Sequence, residues 1–360
     1  MSEIVFILGA GASKEAGAPV MADFLDKADE LRKGGEIDQS KPDFDRVFDA
    51  ISALMSVHSK AQLDLDNIES VFAAFEMGRL IDRFPEILSE DIDSLLTSMR
   101  KLIFKTLEKT VKFPVSHGQI RPNDSYDSFA KLLKNLNNGN RQNRCSIITF
   151  NYDLALDYAL YYNGYSIDYC LSKTTKAGNT SLMKLHGSLN WARCSKCGEI
   201  IPWNFHDFFQ KYHLHYLEEP KFTYLDLASR LKSSGLEHCG ENVKPFPVIV
   251  PPTWNKTEYH QGLSQVWSRA ALELSDAENI FVSGYSLTES DSFFRYLFAL
   301  GSVGRTRIKR FWVFDPDKEN IVRPRFERLI GQGTRDRFWF EKQPFSEAIN
   351  RIYEEFSNKH

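Results

Sequence analysis

Two glycines follow directly on an apolar run: Ile4 to Leu8 leads into Gly9-Ala10-Gly11-Ala12-Ser13, then Gly17-Ala18-Pro19. Glycine lets a backbone turn tightly and come close to a diphosphate, and the amides opening the next helix stabilise its charge. Lys14 stands where a G-x-G-x-x-G pattern has its third glycine, and no G-K-[ST] follows, so this is neither a complete dinucleotide fingerprint nor a P-loop. The same residues also serve for a plain strand-to-helix turn. Thr149-Phe150-Asn151-Tyr152-Asp153 places an amide and a carboxylate at the end of a second apolar run, where they can meet a ligand or cap a helix. Leu185-His186-Gly187-Ser188 offers an imidazole beside a glycine, suited to general-base work near neutral pH or to a structural hydrogen bond.

The elements that must position these residues alternate. Residues 1–8, 145–150, 278–286 and 307–317 read as strands, each ending in glycine or polar residues. Helical periodicity marks 14–33, 42–55, 66–84, 92–113, 263–277 and 289–301, the last with Gly301 as its stop. The segment 131–144 reads as an exposed loop, and the chain beyond 317 as helical and charged. Pro-flanked 245–252 is a short strand. Such alternation predicts an α/β fold, a Rossmann-like doubly wound parallel sheet with its site at the carboxyl edge. Residues 1–360 are expected to form a single domain carrying a helical insertion module at 34–125 and a small Cys-containing module at 190–245.

A chain of 360 residues with 42% hydrophobic and 26% charged residues buries a large core. Its formal charge of −3 is not that of a protein that clamps nucleic acid unaided, so no direct sequence-specific nucleic-acid contact is expected. The first apolar run is too short for a signal peptide, and no stretch nears the ~18–20 apolar residues of a membrane helix. Five cysteines argue against a disulfide framework, and a cytoplasmic location is expected.

Taken in order, G-A-G-A-S, T-F-N-Y-D, H-G, Cys194-x-x-Cys197, a strand ending Gly284-Tyr285-Ser286 and a strand ending at Asp315 resemble the sirtuin-like family. The match covers roughly residues 1–20 and 145–320. Asp66-Asn67-Ile68-Glu69-Ser70-Val71, Phe150-Asn151-Tyr152-Asp153 and Pro251-Pro252-Thr253-Trp254-Asn255-Lys256 look like the branch found in bacterial antiphage defence. The resemblance implies a hydrolase that cleaves NAD to nicotinamide and ADP-ribose and depletes it in an infected cell. It places Gly9, Ala10, Gly11, Ala12 and Ser13 around the diphosphate, and Asn151 beneath the nicotinamide ribose. Asp153 would hold that loop or contact the nicotinamide side, His186 act as the base on the ribose hydroxyl or on water, Gly284 and Ser286 line the adenosine side, and Asp315 bind the adenine ribose. It also implies a homo-oligomer and a separate trigger protein such as a HerA-like ATPase or a short Argonaute.

Departures from the deacylating pattern are visible. Phe150 replaces the usual Gln, Leu25 follows Asp23-Phe24 in place of Arg, and Val248-Ile249-Val250-Pro251-Pro252-Thr253 replaces the segment lining a peptide groove. Prolines remove donors that strand addition uses. An NAD-dependent protein deacylase and a silent NAD or ADP-ribose sensor are the alternative readings. Cys194 and Cys197 form one half of a structural zinc knuckle; Cys239 would join them, with His238, His213 or His215 as the fourth ligand. Because His238 and Cys239 are adjacent, their joint use looks awkward.

Overall fold

A computed structural model describes residues 3–56, 62–138, 143–174, 178–212, 220–251, 262–288, 291–304 and 306–357. Seven strands form one sheet: β1 (Ile4–Leu8), β2 (Cys145–Thr149), β3 (Ile167–Asp168), β4 (Thr180–Lys184), β5 (Asn279–Ser283), β6 (Arg310–Phe314) and β7 (Phe338–Glu341). Their order is β7-β6-β5-β1-β2-β4-β3, and every pairing is parallel. β1 and β5 are buried at all five positions, as expected where helices cover both faces. Successive residues of β1 feed opposite cores. Ile4, Phe6 and Leu8 join the side that carries the Asp124–Asn138 and Phe345–Ser357 helices; Val5 and Ile7 join the side of Ser264–Asp276, Ser292–Gly301 and Val322–Leu329.

The helices Lys41–Ser56, Ile68–Leu80 and Ile92–Thr110 pack on one another. Their apolar faces, with Phe44, Phe72, Phe75 and Leu95, merge with the core under β1. Met55, Met77, Leu80, Ile81 and Leu88 of the same segment stay exposed.

Several sequence expectations need correction. The helix expected over 14–33 is broken: a one-turn helix at Ala10–Ser13 and a turn at Lys14–Ala16 end at Gly17 with φ 95°, and the helix proper is Phe24–Gly34. A Cβ on Gly17 would lie 2.4 Å from the Thr110 carbonyl oxygen, so the chain turns where it nests on the end of the Ile92–Thr110 helix. The loop expected at 131–144 is helical to Asn138, because Phe129, Leu132, Leu133 and Leu136 make a buried stripe among its polar residues. The charged tail contains a further strand, β7. Gly301 is the last helical residue, not the stop; an added Cβ would sit 3.1 Å from Ala271 of the neighbouring helix.

Among the described residues no helix is long and apolar enough to cross a membrane.

Candidate functional site

Register builds the site. Leu8, Thr149, Ser283, Phe314 and Lys184 are level across the sheet, so the residues that follow them emerge together at the carboxyl edge. Connections leave β1 and β5 toward opposite sides of the sheet, the crevice geometry that receives ligands in doubly wound folds. A cleft of about 420 Å³ opens there.

Of the expected residues, Ala10, Gly11, Asn151, Asp153, His186, Gly284, Ser286 and Asp315 line this cleft. Ser13 is instead fully buried below it, its hydroxyl 2.7 Å from the Tyr126 hydroxyl and 2.9 Å from Asn151 Nδ2. Ala12 is buried as well. The glycines have a packing reason of their own. A Cβ on Gly9 would lie 2.5 Å from the Gly284 carbonyl oxygen, one on Gly11 2.8 Å from Gly284 Cα, and one on Gly284 2.2 Å from the Ala12 nitrogen. The loops after β1 and β5 interlock, and the Gly11 amide donates to the Gly284 carbonyl at 2.8 Å.

Asn151 ties the loop after β2 to the loop after β1, with Nδ2 donating to the Gly9 carbonyl at 2.9 Å as well as to Ser13. Asp153, one residue before the N-cap Leu154, accepts from the Ala155 amide at the start of the Ala155–Tyr162 helix. Burial pushes its carboxyl above the ordinary value, and Lys184 opposes that shift. Beneath it lies a buried polar network. Lys184 Nζ donates to the Asp153 carbonyl and to Asp157 Oδ2, each at 2.7 Å, while the Tyr169 hydroxyl donates to Asp157 Oδ1.

His186 is held from both sides along the chain. The Val250 amide donates to its carbonyl, and the Trp267 indole to the carbonyl of Leu185. Its ring meets Phe150 edge-on at 5.1 Å and lies near-parallel to Tyr152 at 6.1 Å. Phe150 in turn stacks on Tyr285 at 4.2 Å. A Cβ on Gly187 would come 2.1 Å from the Val248 carbonyl oxygen, where Val248–Ile249 pairs antiparallel with Gly187–Ser188. One edge of the Val248–Val250 segment is thus already paired; Pro252 to Lys256 lie outside the described residues.

Sequence reasoning missed several lining residues. Ala18 to Ala22 reach the cleft because the helix breaks at Gly17, and Glu69 comes from the helical segment. Tyr285, Thr288 and Asp291 come from the loop after β5. The Tyr285 hydroxyl is buried with the Asp291 carboxylate beside it, and burial first, then that charge, raises its pKa well above the ordinary value. The lining carries Glu69, Asp153, Asp291, Asp315, Asp317 and Glu319 against Lys318 and His186, so an anionic ligand would depend on backbone amides, whereas a cationic group is favoured electrostatically. Burial raises the Asp315 carboxyl; its Oδ1 accepts from the Asp317 amide.

Away from the cleft, Cys194, Cys197, His238 and Cys239 bring their ligand atoms within 4.8 Å of one another. The Glu237–His238 and Glu241–Asn242 strands are joined by Cys239 and Gly240, at φ 57° and 73°. This left-handed turn lets adjacent side chains converge: His238 Nδ1 is 3.3 Å from both Cys197 Sγ and Cys239 Sγ. His238 is thus the fourth member, and the apparent awkwardness of neighbouring ligands disappears. His213 and His215 lie outside the described residues. Three sulfurs and one nitrogen suit tetrahedral zinc, and Glu199 lies 3.5 Å from His238 Nε2 as an outer partner. Amides of Cys197 and Lys196 lower the Cys194 thiol to about 6, which readies it as a thiolate ligand. Elemental analysis is expected to find about one zinc per chain, lost in Cys194→Ser. Wild-type protein that takes up no zinc would remove the assignment.

No family model matches the chain, and no curated protein matches it. Among solved structures it is similar to a Sir2 homolog–NAD complex, at 15% identity and TM-score 0.42, covering 99% of this chain and 90% of that one. It is also similar to a mutant Sir2 homologue–ADP-ribose complex (16% identity, TM-score 0.40, 100% and 95% covered) and to a Sir2–p53 peptide–NAD+ structure (12%, 0.39, 99% and 94%). Identities this low say nothing of chemistry.

Proposed function

We propose that the chain binds NAD+ in the carboxyl-edge cleft and hydrolyses it to nicotinamide and ADP-ribose. The observation that carries this reading is the convergence of Gly11, Asn151, His186, Gly284 and Asp315, from the ends of five strands, on one cleft. In the reaction the bond between ribose C1′ and the pyridinium nitrogen breaks, and its electron pair leaves with nicotinamide. Water adds to the resulting oxocarbenium carbon and loses a proton to His186. Glu69 supplies negative charge toward the cationic ring and the developing cation. Phe150 and Tyr285 form an apolar wall that excludes bulk water from the imidazole's side.

Within this reading the biological role is NAD depletion in antiphage defence, set off by self-association or by a separate trigger such as a HerA-like ATPase or a short Argonaute. The test is a product assay on purified protein, alone, with neighbouring-gene products and with an acetyl-lysine peptide. Nicotinamide and ADP-ribose released without peptide are the expected result. Turnover only with peptide would replace the reading by deacylation, and NAD bound but intact in every combination would replace it by a sensor.

A further inference from the structure

We propose that Asp291 is the positioning residue of His186, its carboxylate orienting the imidazole and raising its basicity for the hydrolysis proposed above, on which this inference rests. The placement is specific. Asp291 stands at the N-cap of the Ser292–Gly301 helix, yet its side chain makes no capping hydrogen bond. An N-cap carboxylate ordinarily accepts from the helix amides, a contact that stabilises the helix. Here the Thr288 hydroxyl donates to Oδ2 at 3.3 Å, and Oδ1 faces His186 Nε2 at 3.8 Å. The two side chains are only 9% and 11% exposed, so solvent screens the pair little.

The surroundings reinforce the sign. His186 is faced by the uncharged rings of Phe150 and Tyr152 from the loop after β2 and by Asp291 from the turn before its helix. Glu69, from the helical segment, adds its charge beside Tyr152. Among the described lining residues the one other cation, Lys318, belongs to the Asp315 end of the cleft. Both nearby carboxylates favour the imidazolium form; Arg295, one turn along the helix from Asp291, sets a positive charge near Tyr285 that opposes them in part. A separation of 3.8 Å is an ion-pair distance rather than a hydrogen bond, and sites of this kind tighten when substrate excludes water.

The pair predicts a raised His186 pKa that depends on residue 291. In full-length protein labelled on histidine, with the resonance assigned by His186→Gln, NMR titration is expected to place His186 above the ordinary ~6.5. Asp291→Asn should lower it by about one unit, and Asp291→Glu should restore it. The acid limb of kcat/KM for NAD should move to lower pH by the same amount, with kcat down about tenfold and KM little changed. An unchanged His186 titration in folded Asp291→Asn overturns the proposal. So does a wild-type His186 that titrates at or below ~6.5, which decides the matter even if the variant does not fold. A protein that releases no nicotinamide, but shows the coupled titration, retains the pair and loses the hydrolase reading instead.

Discussion

Alanine at either Asn151 or His186 is expected to lower the rate of nicotinamide release by about 10²-fold or more, with the melting temperature nearly unchanged. The two losses differ in kind. His186→Ala removes the base while the backbone on either side stays pinned by Val250 and Trp267. Asn151→Ala removes the donor that holds the Gly9 carbonyl and Ser13, so the loop after β1 loses its tie to the loop after β2. Asn151→Asp separates these ideas: a carboxylate cannot donate to the Gly9 carbonyl, and it is expected to be as inactive as alanine. Nicotinamide release by Asn151→Asp at the wild-type rate would show that the tie is dispensable.

Lys184→Met is expected to lower stability by about 3–5 kcal/mol, the cost of leaving one member of a buried ion pair without its partner. Lys184 and Asp157 are each 1% exposed at 2.7 Å, and the lost cation leaves Asp157 with only the Tyr169 hydroxyl. For a chain of this size the thermal midpoint at pH 7 should fall by about 4–7 °C. Removing the charge as well, in Lys184→Met with Asp157→Leu, should recover part of that loss. A single mutant melting within about 2 °C of wild type would mean that the pair is far better solvated than its burial indicates. Because Lys184 also holds the Asp153 carbonyl, the loop carrying Asn151 should loosen before the sheet does.

What could be read from the residues were the strands whose apolar runs stop at a polar or glycine end: β1, β2, β5 and β6, and the motifs at those ends. Alternation and strand-end chemistry are local signals, and register then does the assembling. The residues that stayed hidden depend on long-range contacts. Glu69 reaches the cleft only because its helix packs on Ile92–Thr110. Nothing in the sequence singles out Asp291, and only its turn toward His186 gives it a role. The role of His238 was hidden by a left-handed backbone at Cys239, a conformation non-glycine residues seldom adopt. The buried stripe of Asp124–Asn138 was masked by its lysines and asparagines, and β7 by its charged flanks. The spaced glycines suggested a phosphate cradle; their close fit against Gly284 is a second demand on the same residues, visible only when the two loops meet.

The central place of β1 also has a consequence for how the protein is made. Ile4–Leu8 is synthesised before both of its neighbours in the sheet, Cys145–Thr149 and Asn279–Ser283. At ribosomal rates of about 5–20 residues per second, the second neighbour follows on the order of tens of seconds later. Throughout that interval an entirely apolar strand keeps at least one bare edge, an invitation to nascent-chain aggregation and a natural client segment for chaperones. The same delay acts as a safeguard: until Gly284 and Asp315 have left the ribosome no cleft exists, so a truncated translation product has no competent site.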